Sequence, residues 1–193
     1  VEVLRRHLEG LGREQTGWLA GLRDPYTGRA LSLLHEKPKH PWTLEELARV
    51  GATTFVRIGT CGSLQERVRI GDVVIFDSAA RYAAPSRLYA PIEFPAVADH
   101  GVVAAGIRAA HGQGVTHHVG TTFSTDVFYT PQEGVAFGGY HQSWAREVYE
   151  DARRQNILTA EMESSVLMVL TRIWGLRGGA MAVVADDVFA SVD

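Results

Sequence analysis

Cysteine is almost absent from this chain: Cys61 is the only one in 193 residues. A single thiol excludes a disulfide framework and fits a reducing compartment, so a cytoplasmic location is expected. Excess charge is missing as well. The 19 Lys and Arg stand against 22 Asp and Glu, a formal net charge of −3. No basic run is longer than Arg5-Arg6 or Arg153-Arg154. Phosphate backbones are held by clustered cations, so no nucleic-acid partner is expected. No stretch approaches the roughly 20 apolar residues of a membrane span, so no membrane partner is expected either. The eight histidines show no metal-ligand spacing. Adjacent His117 and His118 would point to opposite faces of a strand, so no metal site is indicated. The dinucleotide fingerprint G-x-G-x-x-G does not occur. The start, Val1-Glu-Val-Leu-Arg-Arg-His7, has neither a signal-peptide layout nor an initiator Met, and reads as a chain begun inside something longer.

What is present is an ordinary globular balance, 46% hydrophobic and 21% charged. The length predicts one domain over residues 1–193, large enough to bury a sizeable core. Residues 1–9 carry Val1, Leu4 and Leu8 at helical spacing, whereas glycines and prolines punctuate 10–42. Thr43-Leu-Glu-Glu46 is a capping-box pattern, predicting a helix that runs to Val50 and stops at Gly51. Thr53–Ile58 and Asp72–Phe76 read as buried strands, Val102–Ala110 as a helix and Val115–Thr122 as a strand. Helices at Trp144–Arg154 and Ser164–Trp174 precede a last apolar strand, Ala180–Ala185. Val- and Ile-rich strands alternating with helices predict an α/β domain around a largely parallel sheet. Ligands in such sheets collect where strands end.

Several constellations could carry chemistry. Arg57-Ile-Gly-Thr-Cys-Gly-Ser63 closes a strand with glycines, hydroxyls and a cation. Its glycines permit close backbone approach and Arg57 can grip phosphate bidentately. Alternatively, it is a Gly-rich strand-to-loop turn with Arg57 in an ordinary ion pair, the commoner meaning of so short a glycine motif. In Ala160-Glu-Met-Glu-Ser-Ser165, an extended backbone puts Glu161 and Glu163 on one face. A carboxylate can accept both hydroxyls of a ribose cis-diol, and Met162 offers a polarizable surface. Alternatively, Glu163 only favours the positive end of the helix that follows. Within Ser124–Glu133, Phe128 and Tyr129 could stack on a ring while Gln132 matches a base edge, or they could be core aromatics before a Pro turn. Leu88–Asp99, with two prolines, reads as a loop or interface. Asp186-Asp187 stands past an apolar strand, either as an acid for a leaving group or as a solvated pair.

Taken in order, these motifs resemble the nucleoside phosphorylase-I family, and the uridine phosphorylases most closely. The resemblance rests on Glu45–Gly51, Arg57–Thr60, Gly71-Asp72-Val73, Ala90–Asp99, Phe128-Tyr129 with Gln132-Glu133, and Glu161–Ser164, spanning residues 43 to 185. It implies a Rossmann-like, three-layer α/β fold with a mixed, largely parallel central sheet, assembled into hexamers built from dimers. It implies reversible phosphorolysis of a nucleoside, in nucleotide salvage, to free base and ribose 1-phosphate. Inorganic phosphate is the co-substrate and no cofactor takes part. By the same resemblance Arg57 and Thr60 hold phosphate, with Arg13 reaching it in a neighbouring subunit. Met162, Glu163 and Glu161 face the ribose. Phe128 and Gln132 contact the base, and Gly62 lines its pocket. A carboxylate by the ribose and an anchored phosphate both stabilise an oxocarbenium-like transition state.

The departures bear on specificity. Gly134 stands where uridine phosphorylases carry an Arg aimed at the pyrimidine carbonyl, and Asp186-Asp187 stand where they show Asn-Arg. Purine members place an acid at that point, which makes Asp186 a catalytic candidate with Arg57 and Glu163. The family's N-terminal strand, its two Gly-rich phosphate loops and its last helix have no counterpart, and His35–Trp42 stands where the second loop belongs. Three alternatives to a uridine-type enzyme therefore stay open: a purine phosphorylase, a hydrolytic nucleosidase, and a silent nucleoside-binding subunit.

Overall fold

The computed structural model describes residues 32–127 and 142–188. Cα packing divides the chain into two compact units, Val1–Thr53 and Thr54–Asp193. In the first, α1 (Leu44–Arg49) follows from local chemistry. Thr43 Oγ1 accepts from the Glu46 amide at 3.2 Å, and the Glu46 carboxylate accepts from the Thr43 amide at 2.9 Å. Both donors of the capping box are thereby satisfied. The chain leaves the helix through Gly51 at φ 103°, a backbone angle that suits glycine.

The second unit contains β1 (Thr54–Ser63), β2 (Val73–Arg81), α2 (Ala84–Tyr89), β3 (Ala96–Val97) and α3 (His100–Gln113). It continues with β4 (His117–Ser124), α4 (Ala145–Arg154), β5 (Thr159–Glu161), α5 (Ser164–Ile173) and β6 (Arg177–Asp187). The predicted alternation of strands and helices is therefore present. Helix α3 starts before Val102 because Asp99 Oδ1 accepts the Val102 amide at 3.1 Å. It ends at Gly114, φ 64°. The strand expected to be buried at 53–58 is covered on one face only: Phe55 is 7% exposed, Val56 44% and Ile58 77%.

Three elements, α2, β3 and β5, are too short to show a period. The segment read as a loop, Leu88–Asp99, is held from inside by a cation. The Arg81 guanidinium is buried and donates to the carbonyls of Ser86, Ala90, Pro91 and Phe94. Backbone oxygens thus replace the carboxylate partner that a buried Arg usually requires.

The strands form one mixed sheet in the order β3-β2-β4-β5-β1-β6, with β6 also pairing back to β2. Pairings β1–β6, β2–β4 and β4–β5 are parallel; β1–β5, β2–β3 and β2–β6 are antiparallel. The expectation of a largely parallel sheet holds for the β1–β6, β2–β4 and β4–β5 pairings and fails for β1–β5, β2–β3 and β2–β6. Periodicity carries no strand direction, which the crossovers set. The extra β2–β6 pairing closes β2, β4, β5, β1 and β6 into a ring and leaves fewer bare edges.

Apolar strand residues Val74, Ile75 and Phe76 are at most 1% exposed. Helix α4 adds Tyr149 and Ala152 to a cluster with Leu64, Phe123, Ile157, Ala160 and Val188. Neighbouring glycines on β6 admit helices on opposite faces. A Cβ at Gly179 would lie 2.5 Å from Val102 of α3, and one at Gly178 would lie 2.0 Å from Thr171 Oγ1 of α5. Gly178→Ala is therefore expected to destabilise the fold by about 1–3 kcal/mol as α5 is pushed off the strand. Urea unfolding measures this, and an unchanged midpoint would contradict the packing.

Candidate active site

Strand direction assembles the site. β1 and β6 run side by side, while β5 meets β1 antiparallel at Gly62↔Ala160 and Ser63↔Thr159 alone. The carboxyl ends of β1, β6 and β5 therefore overlap, and β4 ends beside them with Ser124 opposite Glu161. Along β1 and β6 the register slips, so that Cys61 faces Val184 but Gly62 faces Asp186. Ala185 is the extra residue of this bulge, which re-aims Asp186. Gly62 is required for that approach, since a Cβ there would lie 2.6 Å from Asp186 Oδ1.

The strand ends enclose an open cleft of about 240 Å³, lined by Arg57, Thr60, Cys61, Gly62, Ala160, Glu161, Met162, Glu163, Ala185 and Asp186. Arg57 is its cation. Its Nη2 pairs with Glu163 Oε2, and its Nε lies 3.8 Å from Glu161 Oε2. Its Nη1 is buried with no acceptor among the described residues. Gly59 on the same face leaves room for the guanidinium, because a Cβ there would sit 2.7 Å from Nη1.

The two glutamates differ sharply. The Glu163 side chain is 57% exposed and that of Glu161 is 0% exposed. Glu161 Oε2 accepts from the Glu163 amide at 2.9 Å, the Ser164 amide at 2.9 Å and the Ser164 hydroxyl at 2.8 Å. Its Oε1 accepts from the Ser124 hydroxyl. Glu161 thus satisfies the open amides at the start of α5 and leaves Glu163 as the carboxylate that faces the cleft.

Two further groups have altered proton affinity. Burial, and then the neighbouring Asp187 charge, raise the Asp186 carboxyl above its ordinary value. A carboxyl of this kind can deliver a proton nearer neutral pH. Burial pushes the Cys61 thiol up to about 12, so it is no nucleophile at neutral pH. Among the described residues, no group of three or more His, Cys, Asp or Glu could hold a metal ion. His118 pairs instead with Asp72 at 2.9 Å, and His117 Nδ1 lies 3.1 Å from the Val115 carbonyl.

A cation, an exposed carboxylate, a second acid and an apolar Met on one cleft suit an anionic and a polyhydroxylated ligand together. Family comparison points the same way: the model of the phosphorylase superfamily matches residues 41–192. The chain belongs to the phosphorylase superfamily. Among its relatives, a uridine phosphorylase of Thermococcus kodakarensis is 42% identical over 76% of this chain and 53% of its own length. One of Klebsiella aerogenes is 38% identical over 88% of this chain and 67% of its own. A guanosine phosphorylase of Halorubrum lacusprofundi is 35% identical over 79% of this chain and 58% of its own. The chain thus spans between about half and two thirds of the length of these curated relatives.

Of the residues singled out from the sequence of this superfamily member, Arg57, Thr60, Gly62, Glu161, Met162, Glu163 and Asp186 line one cleft. Arg13, Phe128, Gln132 and Gly134 lie outside the described residues. Sequence reading assigned no role to Ser124, which contacts Glu161 across 37 positions of chain. Only the hydroxyl doublet Ser164-Ser165 beside Glu161 hinted that this carboxylate would be held by serines.

The Asp186 shift has a definite sign. A raised carboxyl favours the protonated form in the fold, so its contribution is present below the unfolded value of 3.8 and lost as pH rises through the folded one. Asp186→Asn should therefore raise the unfolding midpoint more at pH 8 than at pH 4. An equal shift at both values would contradict the burial of this acid. In the folded chain Cys61 should resist thiol reagents at pH 8 and react only after denaturation. Rapid labelling of the native protein would contradict its high thiol pKa.

Proposed function

We propose that this chain is a nucleoside phosphorylase, a pentosyltransferase that reversibly transfers ribose from a uridine-type nucleoside to inorganic phosphate. The observation that carries this reading is the contact of Arg57 with Glu163 inside a cleft that also holds Thr60, Met162 and Asp186. Names of the relatives add support, since uridine phosphorylases are prominent among them.

In this reading Arg57 and Thr60 hold phosphate, joined by Arg13. The Arg57 donor that has no acceptor among the described residues suits an arriving anion. Glu163 accepts the ribose hydroxyls while Met162 packs against the sugar, with Glu161 behind them. Phe128, Gln132 and Gly62 form the base side. The glycosidic C1′–N bond breaks with its electron pair leaving on the base, and a phosphate oxygen bonds to C1′. Positive charge on the sugar is stabilised by the phosphate and by Glu163. The Asp186 carboxyl supplies a proton to the departing base. Phosphate serves as co-substrate, and no cofactor is needed for any of these steps. A Rossmann-like three-layer subunit, assembly into hexamers built from dimers, and a cytoplasmic role in nucleotide salvage complete the proposal. Among the described residues no helix is long and apolar enough to cross a membrane.

A purine substrate is the second reading. It is favoured by the raised Asp186 carboxyl, which matches a base with a basic ring nitrogen, and by the guanosine phosphorylase relative. Release of base from uridine, inosine and guanosine, with and without phosphate, separates the readings. Phosphate-dependent uracil release supports the first reading, and phosphate-dependent release of hypoxanthine or guanine supports the second. Phosphate-independent release would indicate a nucleosidase, and ligand binding without turnover a silent subunit. In the active enzyme Glu163→Ala should lower kcat/KM by roughly 10²–10³. Arg57→Ala should act mainly through the KM for phosphate. Full activity of either variant would remove that residue from its role.

A further inference from the structure

We propose that Ser124 is a positioning residue for the anion-binding Arg57, acting through Glu161. The inference rests on the reading of Arg57 as the phosphate-binding cation. Ser124 closes β4 and is fully buried. It stands opposite Glu161 in the parallel β4–β5 pairing.

A hydroxyl has one proton and two lone pairs, so its bonds have direction. The Ser124 Oγ accepts from the Ser165 amide at 3.0 Å, which leaves its proton to be donated to Glu161 Oε1. Glu161 Oε2 then serves the Glu163 amide, both donors of Ser164 and, at 3.8 Å, Arg57 Nε. Among the described residues Ser124 is the donor to Oε1 from outside the Glu161–Ser165 segment, so it ties that segment to the sheet. Without its hydroxyl, Oε1 faces a buried methyl group and the carboxylate is held only through Oε2, by donors of its own segment, so that segment can turn against the sheet. That turn moves Oε2 away from Arg57 Nε and loosens the loop that carries Glu163. Arg57 would then be oriented by the exposed Glu163 alone, and an incoming anion competes for that same guanidinium.

A structural serine would affect stability and leave ligand affinities in proportion, whereas a positioning serine acts selectively. The test uses the full 193-residue chain and its Ser124→Ala, Ser124→Cys and Ser124→Thr variants, with inorganic phosphate as the probe. Titration calorimetry should show phosphate affinity falling about tenfold in Ser124→Ala, the scale of one hydrogen bond to a charged group. The KM for phosphate should rise in step, with the nucleoside KM changing less than threefold by the same scale. Ser124→Thr, which keeps the hydroxyl, should retain phosphate affinity within about threefold. Ser124→Cys, a similar volume with a weak donor, should fall between, and it replaces the alanine variant if that variant does not fold. Crystal structures of wild type and the folded variant give a readout independent of activity. Expected is a rotated Glu161 carboxylate with a displaced Arg57 guanidinium. An unmoved Arg57, or equal losses for phosphate and nucleoside, overturns the proposal. If wild type binds no phosphate, the phosphorylase reading fails, and the displacement of Arg57 alone then decides the role of Ser124.

Discussion

A carboxylate with no solvent contact cannot be left without donors, and the whole candidate site is arranged around meeting that requirement at Glu161. Taking a carboxylate out of water costs several kcal/mol unless hydrogen bonds replace its hydration. Here the hydrogen bonds come from the end of β4 through Ser124 and from the first amides of α5, and the guanidinium of Arg57 on β1 adds an opposite charge at 3.8 Å. Each is fixed in turn by something larger, a strand pairing, a helix or a strand end. The arrangement tolerates little slack, because a donor that drifts leaves a buried oxygen unsatisfied.

This constraint explains the division of labour between neighbouring glutamates. Glu161 ends β5 and turns inward, where it is consumed by internal bonds. Glu163 follows two positions later, caps α5 by position, and keeps most of its side chain in water while touching Arg57. Buried and exposed carboxylates on one guanidinium give the cleft a rigid side and an adaptable side. The rigid side orients the cation. The adaptable side can exchange its partner when an anion or a diol arrives, which a fully buried pair could not do without a large desolvation cost.

The second organising feature is the meeting of strand ends. β1 and β6 point one way, β2, β4 and β5 the other, and at the site β1 meets β5 for only two pairs. Carboxyl ends from both groups therefore face one cleft. The bulge at Cys61 and Gly62 then brings Asp186 in line with Arg57 and Glu163, at the cost of a residue left unpaired. Because Gly62 has no side chain, a partly buried acid can sit against the strand backbone, and that burial raises its proton affinity.

Much of this protein is written locally. The capping box at Thr43 and Glu46, the alternation of apolar strands with helices, and the residue types of Arg57–Ser63 and Ala160–Ser165 need only short-range chemistry, so the α/β class and the phosphorylase superfamily could be read from the chain. Spacing also put Glu161 and Glu163 near one another. What no local pattern contains is strand direction, the return pairing of β6 to β2, or short elements such as β3 and β5, whose formation depends on partners far along the chain. Nor does it say which of the two glutamates flanking Met162 is buried. Those outcomes require Ser124, Glu161 and Arg57 to meet across three separate strands, and a contact between distant residues exists only once the sheet has brought their ends together.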